Sequence, residues 1–461
     1  MKSTNYHEHG DTPETRKRFW LPLLVALPVV GILLSVPIGL RFLNGEVGLD
    51  TPYRYQFSRP PSGSTTLALG KEMAFYQERI RQNPEDGLDR ASLAGTYLKK
   101  ARATGDASWY LLAEQTAQQS LAKLPFHNDG AILALAQVAQ ARHDFAEAIR
   151  LAEKASGKED ALSIMVTAKL ATGKVEEASV AADSLVNLTP TLGALTLQGL
   201  VKVAQGKDDA ALQSFQQALA AEEPGETGGS IRTRTLLGRF YFKRGELKKA
   251  RALYKESLRV LPQYPPALLN LAELEVRQGN YKAAEGYYSK FFLASKSSPT
   301  IYDHVALRGM ARVKELSGDQ PGAKLWHDKA EARLRQEATA FGHRRELARL
   351  LLRGSSKDVA EALTLMQMEV RVRRDAETLG TLAEALSRSG RWPEARTAIQ
   401  EALRSGIRDP GLFHQAGVIE QALLNQSQSL VFFRLAQETD PTFNEQAQQA
   451  FGLGVGLLGM N

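Results

Sequence analysis

No cysteine occurs anywhere in the 461 residues. That absence excludes disulfides, thiolate zinc sites, iron–sulfur clusters and cysteine nucleophiles, and it suits an oxidising compartment. A large excess of one charge is missing too: 58 Lys and Arg stand against 51 Asp and Glu, a formal net charge of +7. Spread over so long a chain, this excess does not point to nucleic acid. The composition, 43% hydrophobic and 24% charged, excludes global disorder and a collagen-like chain. Length alone would suggest about three domains, unless a repeat makes one long structure of it.

Catalytic motifs are also lacking. Gly454-Val455-Gly456-Leu457-Leu458-Gly459 spells G-x-G-x-x-G, but only Met460 and Asn461 follow, leaving no helix to receive a pyrophosphate. Gly318 to Lys324 lacks the spacing and the hydroxyl residue of a phosphate loop, and neither G-x-S-x-G nor H-E-x-x-H occurs. His7-Glu8-His9 offers at most adventitious metal binding in a polar tail. The other six histidines are scattered, with no helical pair three or four residues apart. The expectation is a protein without catalytic residues, metal, cofactor or small-molecule substrate.

The amino terminus speaks to location. Phe19 to Leu40 is free of charge, preceded by Arg16, Lys17 and Arg18 and closed by Arg41. As a helix it reaches roughly 33 Å, enough to cross a hydrocarbon core. The segment exceeds the core of a cleavable signal peptide and lacks an Ala-x-Ala site, although cleavage stays open. Basic residues before it favour a cytoplasmic tail over 1–18, a transmembrane helix over 19–40 and a body on the periplasmic side of an inner or plasma membrane. Residues 41–68, with Pro52, Pro60, Pro61 and Gly63, read as a stalk or a plain spacer.

From Ile231 onward one pattern is written repeatedly. Leu237, Gly238, Tyr241, Gly245, Ala250, Tyr254, Ser257 and Pro262 return one period later as Leu271, Ala272, Glu275, Gly279, Ala284, Tyr288 and Phe291. Small residues stand where two helices touch, a glycine marks each turn, and a large aromatic fills the remaining gap. The pattern resembles the tetratricopeptide repeat. It can be followed outward through Ala94 and Ala113, Ala136 and Ala148, Gly199 and Phe215, Ala383 and Ala395, and Gly417 and Phe433.

The resemblance implies an all-α, right-handed superhelical solenoid of about ten helix pairs behind the transmembrane helix. Its blocks would cover 69–221 and 231–442, with a loop over 222–230 that is a hinge or a longer surface connection. A cap and tail would follow over 443–461. There Phe451, Leu453, Val455 and Leu457 alternate with glycines, as in an extended docking tail or a frayed end.

In such superhelices the first helix of each pair lines a concave groove. By register Arg232, Arg239, Lys243, Glu273, Arg277 and Arg312 face it, a set suited to an acidic peptide or chain terminus, or else a solvated face of mixed charge. A second basic run, Arg333, Arg335, Arg344, Arg345, Arg349 and Arg353, is a candidate for anionic lipid or an acidic partner patch. The implied role is a membrane-anchored scaffold or assembly factor for a protein partner in a membrane or envelope complex. A chaperone-like holder of exported or unfolded polypeptide is the alternative.

Overall fold

Helix starts are written locally. Asp86, Asn128, Asp144, Thr191, Asp375 and Asp409 each accept a backbone N–H from the first turn that follows, and Ser355 with Asp358 forms a capping box. The turns inside helix pairs carry glycine in the left-handed region, as at Gly173, Gly206, Gly245 and Gly279.

The computed structural model describes residues 53–457, except 59, 62, 297 and 341 and the side chains of 339 and 340. The expected tail (1–18) and transmembrane helix (19–40) lie outside the described residues. Among the described residues no helix is long and apolar enough to cross a membrane.

These residues form 22 helices and no strand. Helix α1 (Ser64–Gln82) precedes ten antiparallel pairs. The first five are α2 (Gly87–Thr104) with α3 (Ser108–Lys123), α4 (Asp129–Ala141) with α5 (Phe145–Lys154), α6 (Lys158–Ala171) with α7 (Val175–Leu188), α8 (Leu192–Ala204) with α9 (Asp208–Ala220), and α10 (Thr227–Phe242) with α11 (Leu247–Val260). The second five are α12 (Pro265–Arg277) with α13 (Tyr281–Ala294), α14 (Asp303–Leu316) with α15 (Gln320–Ala340), α16 (Arg344–Leu351) with α17 (Ser356–Glu369), α18 (Ala376–Arg388) with α19 (Trp392–Leu403), and α20 (Pro410–Ala422) with α21 (Gln426–Thr439). Helix α22 (Glu445–Ala450) and an extended tail follow.

The small-residue contacts take a definite form. A Cβ on Gly238 would stand 2.6 Å from the Tyr254 ring, and Phe215 and Phe433 cover Gly199 and Gly417 in the same way. In these pairs the aromatic fills the gap within its own hairpin. Tyr288, by contrast, lies against Gly309 of the following pair.

The solenoid winds back on itself. Ile301 N–H donates to Gly105 O at 2.9 Å, and Arg374 N–H donates to Ala171 O at 2.9 Å. His143 Nδ1 lies 3.1 Å from Gly342 O, 199 residues away. Gly206 abuts the Gly406 carbonyl, and Gly245 abuts the Asp440 carboxylate. The internal turn of each of the first five pairs therefore meets the connection that follows the pair five further on. Two superhelical turns are stacked, and the first helices of the pairs surround an interior instead of an open groove.

Two expected linkers are built into this body. Tyr53 and Tyr55 are buried, with Tyr53 Oη 2.8 Å from Tyr241 Oη and Tyr55 N–H donating to Glu256 at 3.0 Å. Helix α1 begins at Ser64, inside the segment read as a stalk. Helix α10 begins at Thr227, inside the segment read as an inter-block loop, and one hydrophobic core runs across that position from Val166 to Val313. Turn formers alone could not reveal that Arg234 anchors this junction, donating to Glu222, to Ser230 and to the Tyr53 carbonyl.

Candidate functional site

The interior divides into a filled half and an open half. The filled half is lined by α10 and α12, and every residue of α12 is buried. Most residues read from register as a partner-binding groove lie here, already engaged. Arg239 forms a buried ion pair with Glu273, whose other contact is the Gly452 N–H at 3.1 Å. Lys243 reaches Asp409 at 2.5 Å and Glu377 at 3.2 Å. Arg277 donates to Asp440 at 2.5 Å, to Thr442 at 2.7 Å and to the Phe242 carbonyl at 3.0 Å. Arg312 donates to the Gln449 carbonyl and pairs with Glu315.

Such pairs are internal fastenings, because leaving one partner charged and buried costs about 3–5 kcal/mol. Burial alone would raise the pKa of Glu377, but Lys243 and Arg345 outweigh it and hold the carboxyl below its ordinary range.

What fills this half is the chain's own tail. Leu453, Val455 and Leu457 are buried in the main core, and Val455 N–H donates to Asn270 Oδ1 at 2.8 Å. Arg308 donates to the Gly452 carbonyl at 3.0 Å. A Cβ on Gly454 would run into Glu273 and lie 2.6 Å from Asn270 Oδ1. The glycine alternation thus allows backbone to lie against polar side chains while the alternate residues enter the core. Of the two readings of the carboxyl end, this is the docked one over Phe451 to Leu457.

The second basic run does not form one surface. Arg333 pairs with Glu337 and Asp303, Arg335 with Glu331 and Glu361, Arg344 with Glu369, and Arg353 with Glu315. Arg345 is buried among Glu346, Asp375 and Glu377, and Arg349 lies beside Gly452 in the interior. Nearby residues in sequence supply only Glu331, Glu337 and Glu346 as partners. The other acids arrive from neighbouring helices.

The open half is a cavity of about 830 Å³ lined by α1, α2, α4, α6, α8 and the start of α10. Its walls are largely apolar, including Leu98, Ile164 and Leu197, with Gln137 and Gln140 among them, and they also carry Glu72, Lys99, Asp160 and Glu226. Two guanidiniums face it: Arg102, which donates to Gln137 Oε1 at 2.8 Å, and Arg232. Desolvation lowers the pKa of each, although Arg102 is exposed to the solvent of the cavity. Arg232 lowers Arg102 further by repulsion. Tyr264 is raised to about 12 by burial, so its phenol stays neutral beside them. Arg232 is the member of the register-derived set that reaches this cavity.

Three further residues escaped the sequence. His304, Glu337 and His343 are buried, and one ligand atom of each lies within 4.8 Å of the others. They sit 33 and six positions apart, a spacing that carries no metal motif, and only the α14–α15–α16 packing brings them together.

Antiparallel helix pairs stacked in register define a helical-repeat solenoid. Tetratricopeptide repeat models match residues 191–263, 242–290 and 376–401, so the helix pairs in those segments are similar to tetratricopeptide repeats. A tetratricopeptide repeat protein from Parabacteroides merdae ATCC 43184 is similar at 17% identity, over 64% of this chain and 99% of that one, with a TM-score of 0.29. No curated protein matches the chain. Repeats of this kind make protein–protein interaction scaffolds and are typically non-catalytic.

Proposed function

We propose that the chain is a membrane-anchored scaffold or assembly factor, capturing an acidic segment or chain terminus of a protein partner in the open half of its interior. The observation that carries this reading is the pair Arg102 and Arg232, facing one cavity of about 830 Å³ and repelling each other across it. A carboxylate entering the cavity relieves that repulsion and meets planar donor forks in a partly dehydrated setting. Apolar walls add affinity for side chains flanking the carboxylate.

Residues 19–40 supply the anchor in this proposal, with residues 1–18 in the cytoplasm and the repeats on the periplasmic side. The charge-free run and the basic cluster before it support that arrangement. The partner then belongs to a membrane or envelope complex.

The test is photocrosslinking from position Gln137 in intact membranes, in the parent and in an Arg102→Glu, Arg232→Glu variant. One partner captured stoichiometrically, with capture reduced tenfold or more in the variant, is the expected result. Unchanged capture overturns the basic cavity. Weak capture of many unfolded chains would favour a holder of exported polypeptides instead.

A further inference from the structure

We propose that His304, Glu337 and His343 form a binding site for a divalent transition-metal ion of the zinc class. The three come from the start of α14, the last turns of α15 and the connection into α16. Their ligand atoms lie within 4.8 Å of one another, and the residues are only 6%, 4% and 7% exposed. Two imidazoles and a carboxylate form a ligand set that zinc accepts with one position left open.

A second observation points the same way. His304 Nδ1 is buried without a hydrogen-bond partner. An imidazole nitrogen left so is costly, and a metal ion is one means of satisfying it. Glu337 is already oriented: Arg333 holds its Oε1 at 2.6 Å, while its Oε2 faces His343 Nδ1 at 3.2 Å. An ion would take the place of that last contact, with Arg333 fixing the carboxylate from behind. Glu346, paired through Oε1 with Arg345, lines the same small pocket as both imidazoles, and its buried Oε2 lacks a partner. His304 and His343 also line a pocket of about 90 Å³, where a water could complete the coordination. The site would tie α14, α15 and α16 together beside the connection that meets His143 of the first superhelical turn.

The experiment titrates the full-length, metal-stripped chain with Co²⁺ and then Zn²⁺. One Co²⁺ per chain with the intense visible bands of a four-coordinate ion is expected, and Zn²⁺ should displace it. His304→Gln with His343→Gln should abolish the bands. His7→Gln with His9→Gln should leave them, because those residues are not among the proposed ligands. Since the interior variant risks misfolding, the unaltered chain supplies a second measurement: excess Zn²⁺ should raise its Tm by several degrees. Binding that follows His7 and His9, or a Tm unmoved by Zn²⁺, overturns the proposal.

Discussion

At the scale of single residues, charge was legible but its use was not. Register puts Arg239, Lys243 and Arg277 on helices expected to line a partner groove, and in the structure all three are engaged in buried ion pairs. The acids that occupy Lys243 and Arg277 lie far along the chain, at Glu377, Asp409 and Asp440, so no local reading could pair them. Histidine shows the same limit. His143 lies in a turn with φ 62° and is packed, partly buried, against Gly342, Phe145 and His343. Burial, then Arg373, pushes its pKa down to about 3. Glu346 pulls the other way, while His343 and Arg345 add to the depression. In the unfolded chain the imidazole titrates near 6.5. Between these values the unfolded state binds the extra proton, so this contribution is complete above pH 6.5 and shrinks as pH falls. His304 adds to the same slope. His143→Asn keeps a residue that tolerates positive φ and removes one of these protons, leaving those of His304 and of His414, which burial also lowers. Urea unfolding in the presence of a chelator, between pH 6.5 and 5, should therefore show a smaller loss of stability than in the parent. An unchanged slope would mean that His143 is not neutral in the folded protein.

At the scale of elements, pairing and capping were legible because they are local. Asp, Asn and Thr at helix starts and glycine in the turns specify hairpins, and Gly238 with Tyr254 specifies how closely two helices approach. The tail was half-legible. Alternation of Phe451, Leu453, Val455 and Leu457 with glycine announced an extended strand-like segment, but its receptor, Glu273 and Asn270 on α12, was hidden by distance in sequence. The docked tail buries Leu453, Val455 and Leu457, each worth roughly 1.5–3 kcal/mol at full burial before ordering costs are counted. Ending the chain after Ala450 should therefore open the filled half of the interior and lower stability by several kcal/mol. A fluorescent peptide of residues 451–457 should bind the truncated protein and fail to bind the full chain, as read by anisotropy. A truncated protein that stays folded yet ignores the peptide would show that the tail is held by its tether alone.

At the scale of the whole molecule, the repeat period predicts only contacts between neighbouring pairs, since each unit is written to stack on the next. The contacts that join the two superhelical turns have no such period. They depend on the small angular step per pair accumulating until the chain meets itself. The same glycines serve both purposes: Gly206, with φ 68°, closes the turn between α8 and α9 and also admits the Gly406 carbonyl. Gly390, with φ 74°, closes an equivalent turn between α18 and α19, and a Cβ there would meet nothing. The pair separates backbone strain from steric separation of the turns. Gly390→Ala should cost on the order of 1 kcal/mol, the strain of a left-handed alanine. Gly206→Ala carries the same strain and must also drive its methyl into backbone of the other turn, which no side-chain rotation relieves. It should cost clearly more, and small-angle scattering should show a larger radius of gyration as the stacked turns part. Equal unfolding midpoints and equal radii for the two variants would show that the turns are not joined at Gly206, and the interior would then be an open groove after all.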